Sequence, residues 1–178
     1  GVDGPVERFN QTVVLQAPPG VVAADVEALL QALLDRHAML RAVVEDDPAG
    51  GWRLRTRPVG SVPAGACLRV VDTLCDEVIG AARDELDPRA GRMVRAVWAA
   101  ASGQLLLIAH HLVVDGVSWR ILAEDLNTAW TQHHTGKPIT LPPTGTGFAQ
   151  WARLLHERAV SPEVTAHAAA WRDITAGL

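Results

Sequence analysis

The strongest constraint on this chain is a run of apolar residues, Leu105, Leu106, Leu107, Ile108 and Ala109, that ends in two adjacent histidines, His110 and His111. The apolar character continues to Val114, yet residues 105–114 are far too few to span a bilayer, and the histidines interrupt them. The run therefore reads as a strand buried in a protein core. Residues 93–100 form a second long strand, and the tight Ala101-Ser102-Gly103 turn joins the two as a hairpin.

Strands and helices interleave around this hairpin. Residues 9–16 are rich in β-branched side chains and predict a strand, after which Pro18, Pro19 and Gly20 punctuate the chain. Val22, Val26, Leu29, Leu30, Leu33 and Leu34 trace one face of a helix ending near His37. Strand character returns over 40–44, with a turn over 47–51 and another strand over 52–57. A loose segment, 58–66, leads to a short strand over 68–71. Thr73 and Asp76 have the spacing of a capping box for a helix running to about Leu86. Beyond the hairpin, a helix from about Ser118 to His134 carries Ile121, Leu122, Leu126, Ala129 and Trp130 on one side and stops at Gly136. Pro138, Pro142 and Pro143 mark 137–147 as a connector. Two helices follow, over 148–159 and 162–176, the second with Ser161 as its cap and Pro162 at its first position. The pattern predicts an α/β protein, a two-layer sandwich of a mixed sheet with helices packed on it, as one domain over residues 1–178.

Composition narrows the function. Hydrophobic residues make up 48% and charged residues 20% of the 178 positions, the balance of a soluble globular protein with an ordinary core. The formal net charge of −4, with no basic run or basic–aromatic stripe, argues against nucleic acid as a partner. Cys67 and Cys75 are too few for a disulfide framework and are not spaced as a redox or zinc pair, so reduced thiols are expected. Residues 1–11 lack the basic and apolar regions of a secretory leader. A cytoplasmic protein with no membrane partner is the expectation.

The chemistry concentrates where the apolar strand ends. Neighbouring side chains on a strand point to opposite faces, so one of His110 and His111 enters the structure while the other faces a cavity. An imidazole at the end of a buried strand is well placed for proton transfer, because imidazoles ordinarily titrate near neutrality. Asp115 and Gly116 then turn the chain, and Ser118 is positioned to cap the helix that follows. A metal site built from His110, His111 and Asp115 is not expected, since adjacent histidines point apart and no further ligand is suitably spaced.

His110-His111-x-x-x-Asp115-Gly116 resembles the HHxxxDG signature of the condensation-domain superfamily. That group includes the condensation and epimerization domains of nonribosomal peptide synthetases and is related in fold to chloramphenicol acetyltransferase. Other segments agree in order. Arg36, His37, Leu40 and Arg41 resemble the family's RHxxLR segment after the first helix, and Leu86 and Asp87 through Val97 resemble the segment before the central hairpin. Phe148, Ala149, Gln150, Trp151 and Ala152 resemble the helix after the proline-rich connector. Condensation domains usually carry an aromatic residue directly after Asp-Gly. Here Val117 stands in that place, and Ser118-Trp119-Arg120-Ile121-Leu122 is similar to epimerization domains, as is Phe9-Asn10-Gln11.

The resemblance implies the N-terminal lobe of a chloramphenicol acetyltransferase-like fold, paired in the family with a C-terminal lobe that this chain lacks; the lobe alone is expected to be inactive. His111 is implied as the catalytic acid/base, with His110 and Asp115 as structural support and Arg41 nominated as the partner of Asp115. Gly116 would let the backbone approach the reacting thioester, lacking a Cβ. Ser118 and Trp119 are candidate pocket residues. The reaction implied is removal of the Cα proton of a carrier-bound aminoacyl or peptidyl thioester and its return to the other face, the second proton carrier being a glutamate of the C-terminal lobe. No cofactor is implied for the lobe itself; the phosphopantetheine arm of a peptidyl carrier domain would deliver the substrate. Two alternatives stay open: a condensation lobe or acyltransferase, in which His111 positions or deprotonates an attacking amine, and a degenerate docking lobe without catalysis.

The remaining histidines and tryptophans have plainer readings. His37 is expected to be hydrogen-bonded and structural, His133 and His134 to favour the C-terminal end of their helix, and His156 and His167 to be solvated. Trp119, Trp130, Trp151 and Trp171 are expected in core or helix–helix packing.

Overall fold

The computed structural model describes residues 9–143 and 145–176. They form two compact units divided between Pro143 and Thr144. Thr144 of the connector and the start of the chain, where no leader was read, lie outside the described residues.

In the first unit, strand β1 (Asn10–Gln16) is followed by helix α1 (Ala23–Arg36), a 3₁₀ turn (Ala38–Arg41) and the strands β2 (Ala42–Asp46) and β3 (Trp52–Thr56). Next come the one-turn helix α2 (Ala64–Cys67), strand β4 (Leu68–Val71), helix α3 (Asp76–Asp84), strands β5 (Val94–Ala99) and β6 (Gln104–His110), and helix α4 (Gly116–His134). The main sheet has the order β1-β6-β5-β4. Its first two pairings are antiparallel and the β5/β4 pairing is parallel, while β2 and β3 form a separate antiparallel ribbon. A mixed sheet carrying helices is the architecture the sequence predicts.

The apolar run of β6 has a physical cause. Leu105, Leu107 and Ala109, with Val94, Ala96 and Trp98 of β5, pack with Val26, Leu30, Leu33 and Leu34 of α1 and Leu122 of α4. Leu106 and Ile108, with Val97, pack on the other face with Ala82 and Leu86 in and after α3. A strand covered on both faces has no polar side, so the usual alternation is lost. Burying each valine, leucine or isoleucine among them contributes about 1.5–3 kcal/mol. The helices α1 and α4 run antiparallel, and two histidine–carboxylate pairs tie them: Asp25 to His133 at 2.9 Å and His37 to Asp125 at 2.8 Å.

Several boundaries differ from the sequence expectation. The strand expected over 40–44 begins at Ala42, because Leu40 and Arg41 close the 3₁₀ turn, with the Leu40 N–H bonded to the His37 carbonyl at 3.0 Å. The segment 58–66 is not entirely loose: α2 starts there, and the Gln31 side chain accepts the Ala64 N–H at 2.8 Å. Thr73 does not cap α3. Cys75 is the capping position and makes no side-chain cap bond, and Asp76 and Glu77 in the first turn favour the positive end of the helix dipole instead.

The second unit holds α5 (Phe148–Ala159), α6 (Pro162–Thr165) and α7 (Ala168–Ala176). The single helix expected over 162–176 is therefore two. Ser161 accepts the Val164 N–H and Pro162 occupies the first turn of α6, as the sequence predicts. None of the residues of these three helices is buried. Packing expected for Trp151 and Trp171 is not seen; they are 53% and 67% exposed.

Candidate active site

Strand β6 places the two histidines. The His110 backbone N–H bonds the Met93 carbonyl at 2.9 Å, and its side chain, 1% exposed, is enclosed. Its Nδ1 accepts the Leu112 N–H at 3.2 Å, and its carbonyl accepts the Val113 N–H at 3.0 Å. His110 thus shapes the turn that follows the strand. The His111 N–H pairs with the Phe9 carbonyl at 2.8 Å, carrying the β1/β6 pairing one residue further. Its ring is half-buried.

Groups from three segments surround the His111 imidazole. Nδ1 lies 2.8 Å from the Val114 carbonyl oxygen. Nε2 lies 3.2 Å from the side-chain nitrogen of Gln11. The Phe9 ring stacks on the imidazole with centroids 4.7 Å apart and planes at 30°. The oxygen of Gln11 accepts the indole N–H of Trp119 at 2.8 Å, so α4 is joined to the cluster through β1. Gln11 and Phe9 were not marked as site residues by sequence reasoning. Their two-residue spacing on a strand does predict a shared face. What the sequence does not carry is the register, which sets Gln11 opposite Ala109 and Asn10 opposite His110.

Asp115 and Ser118 exchange hydrogen bonds at the start of α4. The Asp115 carboxylate accepts the Ser118 N–H at 2.7 Å and its hydroxyl at 2.6 Å, while Ser118 Oγ accepts the Asp115 N–H at 3.2 Å. Asp115 is therefore the capping residue and Ser118 its reciprocal partner, the reverse of the expected assignment. The Ser118 hydroxyl first, and then its backbone N–H, hold the Asp115 carboxyl below the usual carboxylate range.

The ion pair nominated between Arg41 and Asp115 is not formed. Arg41, only 5% exposed, donates from Nε to the carbonyls of Arg57 and Pro58, both at 3.1 Å. Its Nη1 donates to the carbonyls of Leu34 and Asp35, the latter at 2.8 Å. Those two carbonyls belong to the last turn of α1, where no further helical N–H is available, and the guanidinium fork supplies the missing donors. Arg41 thus ties the end of α1 to the segment that follows β3. Gly116 opens α4, and a Cβ built there would meet nothing within 4 Å, so no contact inside the chain requires glycine. Trp119 is partly buried against the main core.

Of the other histidines, His156 and His167 are exposed, as expected, while His37, His133 and His134 make contacts within the fold. Burial pulls His37 below its ordinary value of 6.5 and outweighs the upward pull of the Asp125 carboxylate. His134 stacks on Trp130 with centroids 4.9 Å apart. Among the described residues, no three His, Cys, Asp or Glu side chains are grouped to hold a metal ion, and no helix is long and apolar enough to cross a membrane.

Known proteins resemble this chain in sequence and in fold. Residues 3–178 match the family described as Condensation domain. A linear gramicidin synthase polypeptide of Brevibacillus parabrevis is 34% identical over 183 residues, covering 94% of this chain and 2% of that protein. A surfactin synthase polypeptide of Bacillus subtilis is 33% identical over 183 residues, covering 94% of this chain and 5% of that protein. The chain thus spans only a small part of the relatives it matches. Among solved structures, the epimerization domain from the third module of tyrocidine synthetase B superposes with a TM-score of 0.83 at 28% identity, covering 96% of this chain and 40% of that one. The first condensation domain of the calcium-dependent antibiotic synthetase shares the fold, with a TM-score of 0.71 at 17% identity over 94% of this chain and 42% of that one.

Proposed function

Because the chain belongs to the condensation-domain family, we propose that it is the N-terminal lobe of an epimerization domain, inverting the Cα centre of an aminoacyl or peptidyl thioester held on a carrier domain. One observation carries the choice of epimerization. The two segments that resemble epimerization domains, at Phe9-Asn10-Gln11 and Ser118-Trp119, meet at His111: Phe9 stacks on it, Gln11 bonds it, and Trp119 bonds Gln11. The likeness to the tyrocidine epimerization domain supports the same reading.

In this reading His111 is the catalytic residue. Nε2 takes the proton from Cα; the electron pair of the broken C–H bond passes to the thioester carbonyl as an enolate. A proton delivered to the opposite face restores the C–H bond with inverted configuration. General acid–base catalysis of this kind contributes roughly 10²–10⁴-fold. The Val114 carbonyl, facing Nδ1–H, supports the ring as it becomes imidazolium. His110 and Asp115 hold the turn and the helix start on either side, and the open space at Gly116 admits the thioester. The opposite-face carrier is a glutamate of a C-terminal lobe, and the phosphopantetheine arm of a peptidyl carrier domain delivers the substrate. Free Cys67 and Cys75 are in keeping with a reducing, cytoplasmic setting. The family match is equally compatible with a second reading, a condensation lobe, in which the same Nε2 accepts from an attacking amine and an amide forms.

The test joins this chain to a second lobe, supplies a carrier loaded with an L-aminoacyl thioester, and analyses the chirality of the released product. Formation of the D isomer, lost in His111→Ala, is the expected result. Amide formation with a second loaded carrier and no inversion would move the assignment to condensation. Neither activity would leave a docking lobe.

A further inference from the structure

The hydrogen bonds around His111 determine where its proton sits. A carbonyl oxygen only accepts, so Nδ1, 2.8 Å from the Val114 oxygen, has to carry hydrogen. An indole nitrogen only donates, so Trp119 fixes the oxygen end of Gln11 toward itself at 2.8 Å. That turns the NH₂ end of Gln11 toward Nε2 of His111, at 3.2 Å, where an N–H can only donate to a bare lone pair. Two independent chains of reasoning, one from each side of the ring, give the same tautomer.

We propose that Gln11 and Trp119 are positioning residues for the base: they hold His111 as the neutral Nδ1–H tautomer, with the Nε2 lone pair kept unprotonated and covered by the Gln11 amide until substrate displaces it. This deepens the epimerase reading and rests on it for its catalytic meaning, though the tautomer itself does not. The geometry makes the Gln11 bond and an Nε2 proton mutually exclusive. When the Cα–H bond breaks and Nε2 gains that proton, Gln11 faces an N–H with an N–H. Flipping the amide does not help, because its NH₂ would then face the indole N–H of Trp119. Gln11 therefore has to swing away as proton transfer occurs. In the resting protein it keeps a proton from occupying the one atom that has to receive one. Phe9 stacked on the ring limits its rotation, so the lone pair keeps its direction when Gln11 leaves.

The test needs no catalysis. Two-bond proton–nitrogen correlation spectra of the ¹⁵N-histidine-labelled chain report which ring nitrogen carries hydrogen. The unmutated chain is expected to show His111 as Nδ1–H alone. Gln11→Glu keeps the size of the side chain and still accepts from Trp119, but offers Nε2 an acceptor in place of a donor, so an Nε2–H signal is expected to appear. Trp119→Phe frees the amide to rotate its oxygen toward Nε2, so an Nε2–H signal is expected to grow in beside the Nδ1–H that the Val114 carbonyl holds. An Nε2–H signal in the unmutated chain overturns the proposal without any variant having to fold. So does an Nδ1–H pattern unchanged in a Gln11→Glu chain whose β1 and β6 backbone amide signals are intact.

A second measurement separates this inference from the function it serves. In the chain joined to a second lobe, Gln11→Glu is expected to lower kcat for Cα exchange on the order of 10²-fold with KM held, the loss of a correctly protonated base. Tautomer switching with no His111-dependent exchange in the unmutated protein would sink the epimerase reading and leave the tautomer assignment standing. Exchange that survives Gln11→Glu at full rate would overturn the positioning role of Gln11.

Discussion

Arg41 is nearly buried, and its guanidinium is satisfied by four backbone carbonyls, those of Leu34, Asp35, Arg57 and Pro58. Removing it strips donors from one buried and three partly buried bonds, and a buried acceptor costs about 1–3 kcal/mol to leave unpaired. Arg41→Ala is expected to lower the free energy of unfolding in urea by about 3 kcal/mol. Arg41→Lys should recover only part of this, because one ammonium cannot span the fork. The cost of Arg41→Ala should be the same in an Asp115→Ala background to within about 0.5 kcal/mol, as for residues that share no partner. A markedly smaller cost there would restore the ion pair between them. The residue scale is also where the sequence was least legible. The motif marks His110, His111 and Asp115, the residues around which the candidate site is built. It does not mark Gln11, since a glutamine on an amphipathic strand resembles any other polar residue until register brings it against His111. The pairing of Arg41 with Asp115 was nominated from the family resemblance alone, and the carbonyls at the end of α1 take up that guanidinium instead.

At the scale of elements, β6 was the most legible segment and the helix ends were the least. A run that is apolar at every position specifies a strand covered on both faces, and Leu106, 0% exposed, lies on the face that packs with α3. Its cross-strand partner on β1, Val14, shares that face but is half exposed. Leu106→Ala is therefore expected to cost about 2–5 kcal/mol, the range for a large aliphatic removed from a closed core. Val14→Ala should cost much less, under about 1 kcal/mol. Equal costs in chemical denaturation would mean that the outer face of β1 is covered. Helix starts depend on single hydrogen bonds that local pattern does not decide. The Asp115–Ser118 box reads equally well in either direction, and α2 is stabilised by Gln31 from a distant helix. The division between α6 and α7 falls around Ala166 and His167 with no proline or glycine beside it, so the sequence carries no breaker to mark it.

At the scale of the whole molecule, the antiparallel clamp of α1 and α4 makes stability depend on pH. Burial holds His37 below its ordinary 6.5, so the unfolded chain binds a proton that the folded chain resists. This contribution is complete above that ordinary value and is lost as the pH falls through it toward the lower folded value. Asp25, held low by the Val22 N–H and then by His133, keeps its contribution until the pH falls below the ordinary 3.8. Between about pH 8 and about pH 5 the melting temperature should therefore fall, and His37→Gln should flatten the part due to His37. A slope unchanged by that substitution would place the acid sensitivity elsewhere. The mixed sheet and its helices were readable from alternating strand and helix patterns. The prolines of 137–147 marked the connector in which the two units divide, but the exposure of Trp151 and Trp171 was not readable, because amphipathic helices look alike whether or not a partner covers them. The central claim is that His111 moves a proton at Cα, and the most direct measurement is deuterium uptake there. With the chain joined to a second lobe and a carrier-bound L-aminoacyl thioester in D₂O, mass spectrometry should find rapid uptake at Cα that falls at least roughly 10²-fold in His111→Ala. Uptake at the same rate in both proteins would contradict the assignment of His111 as the base.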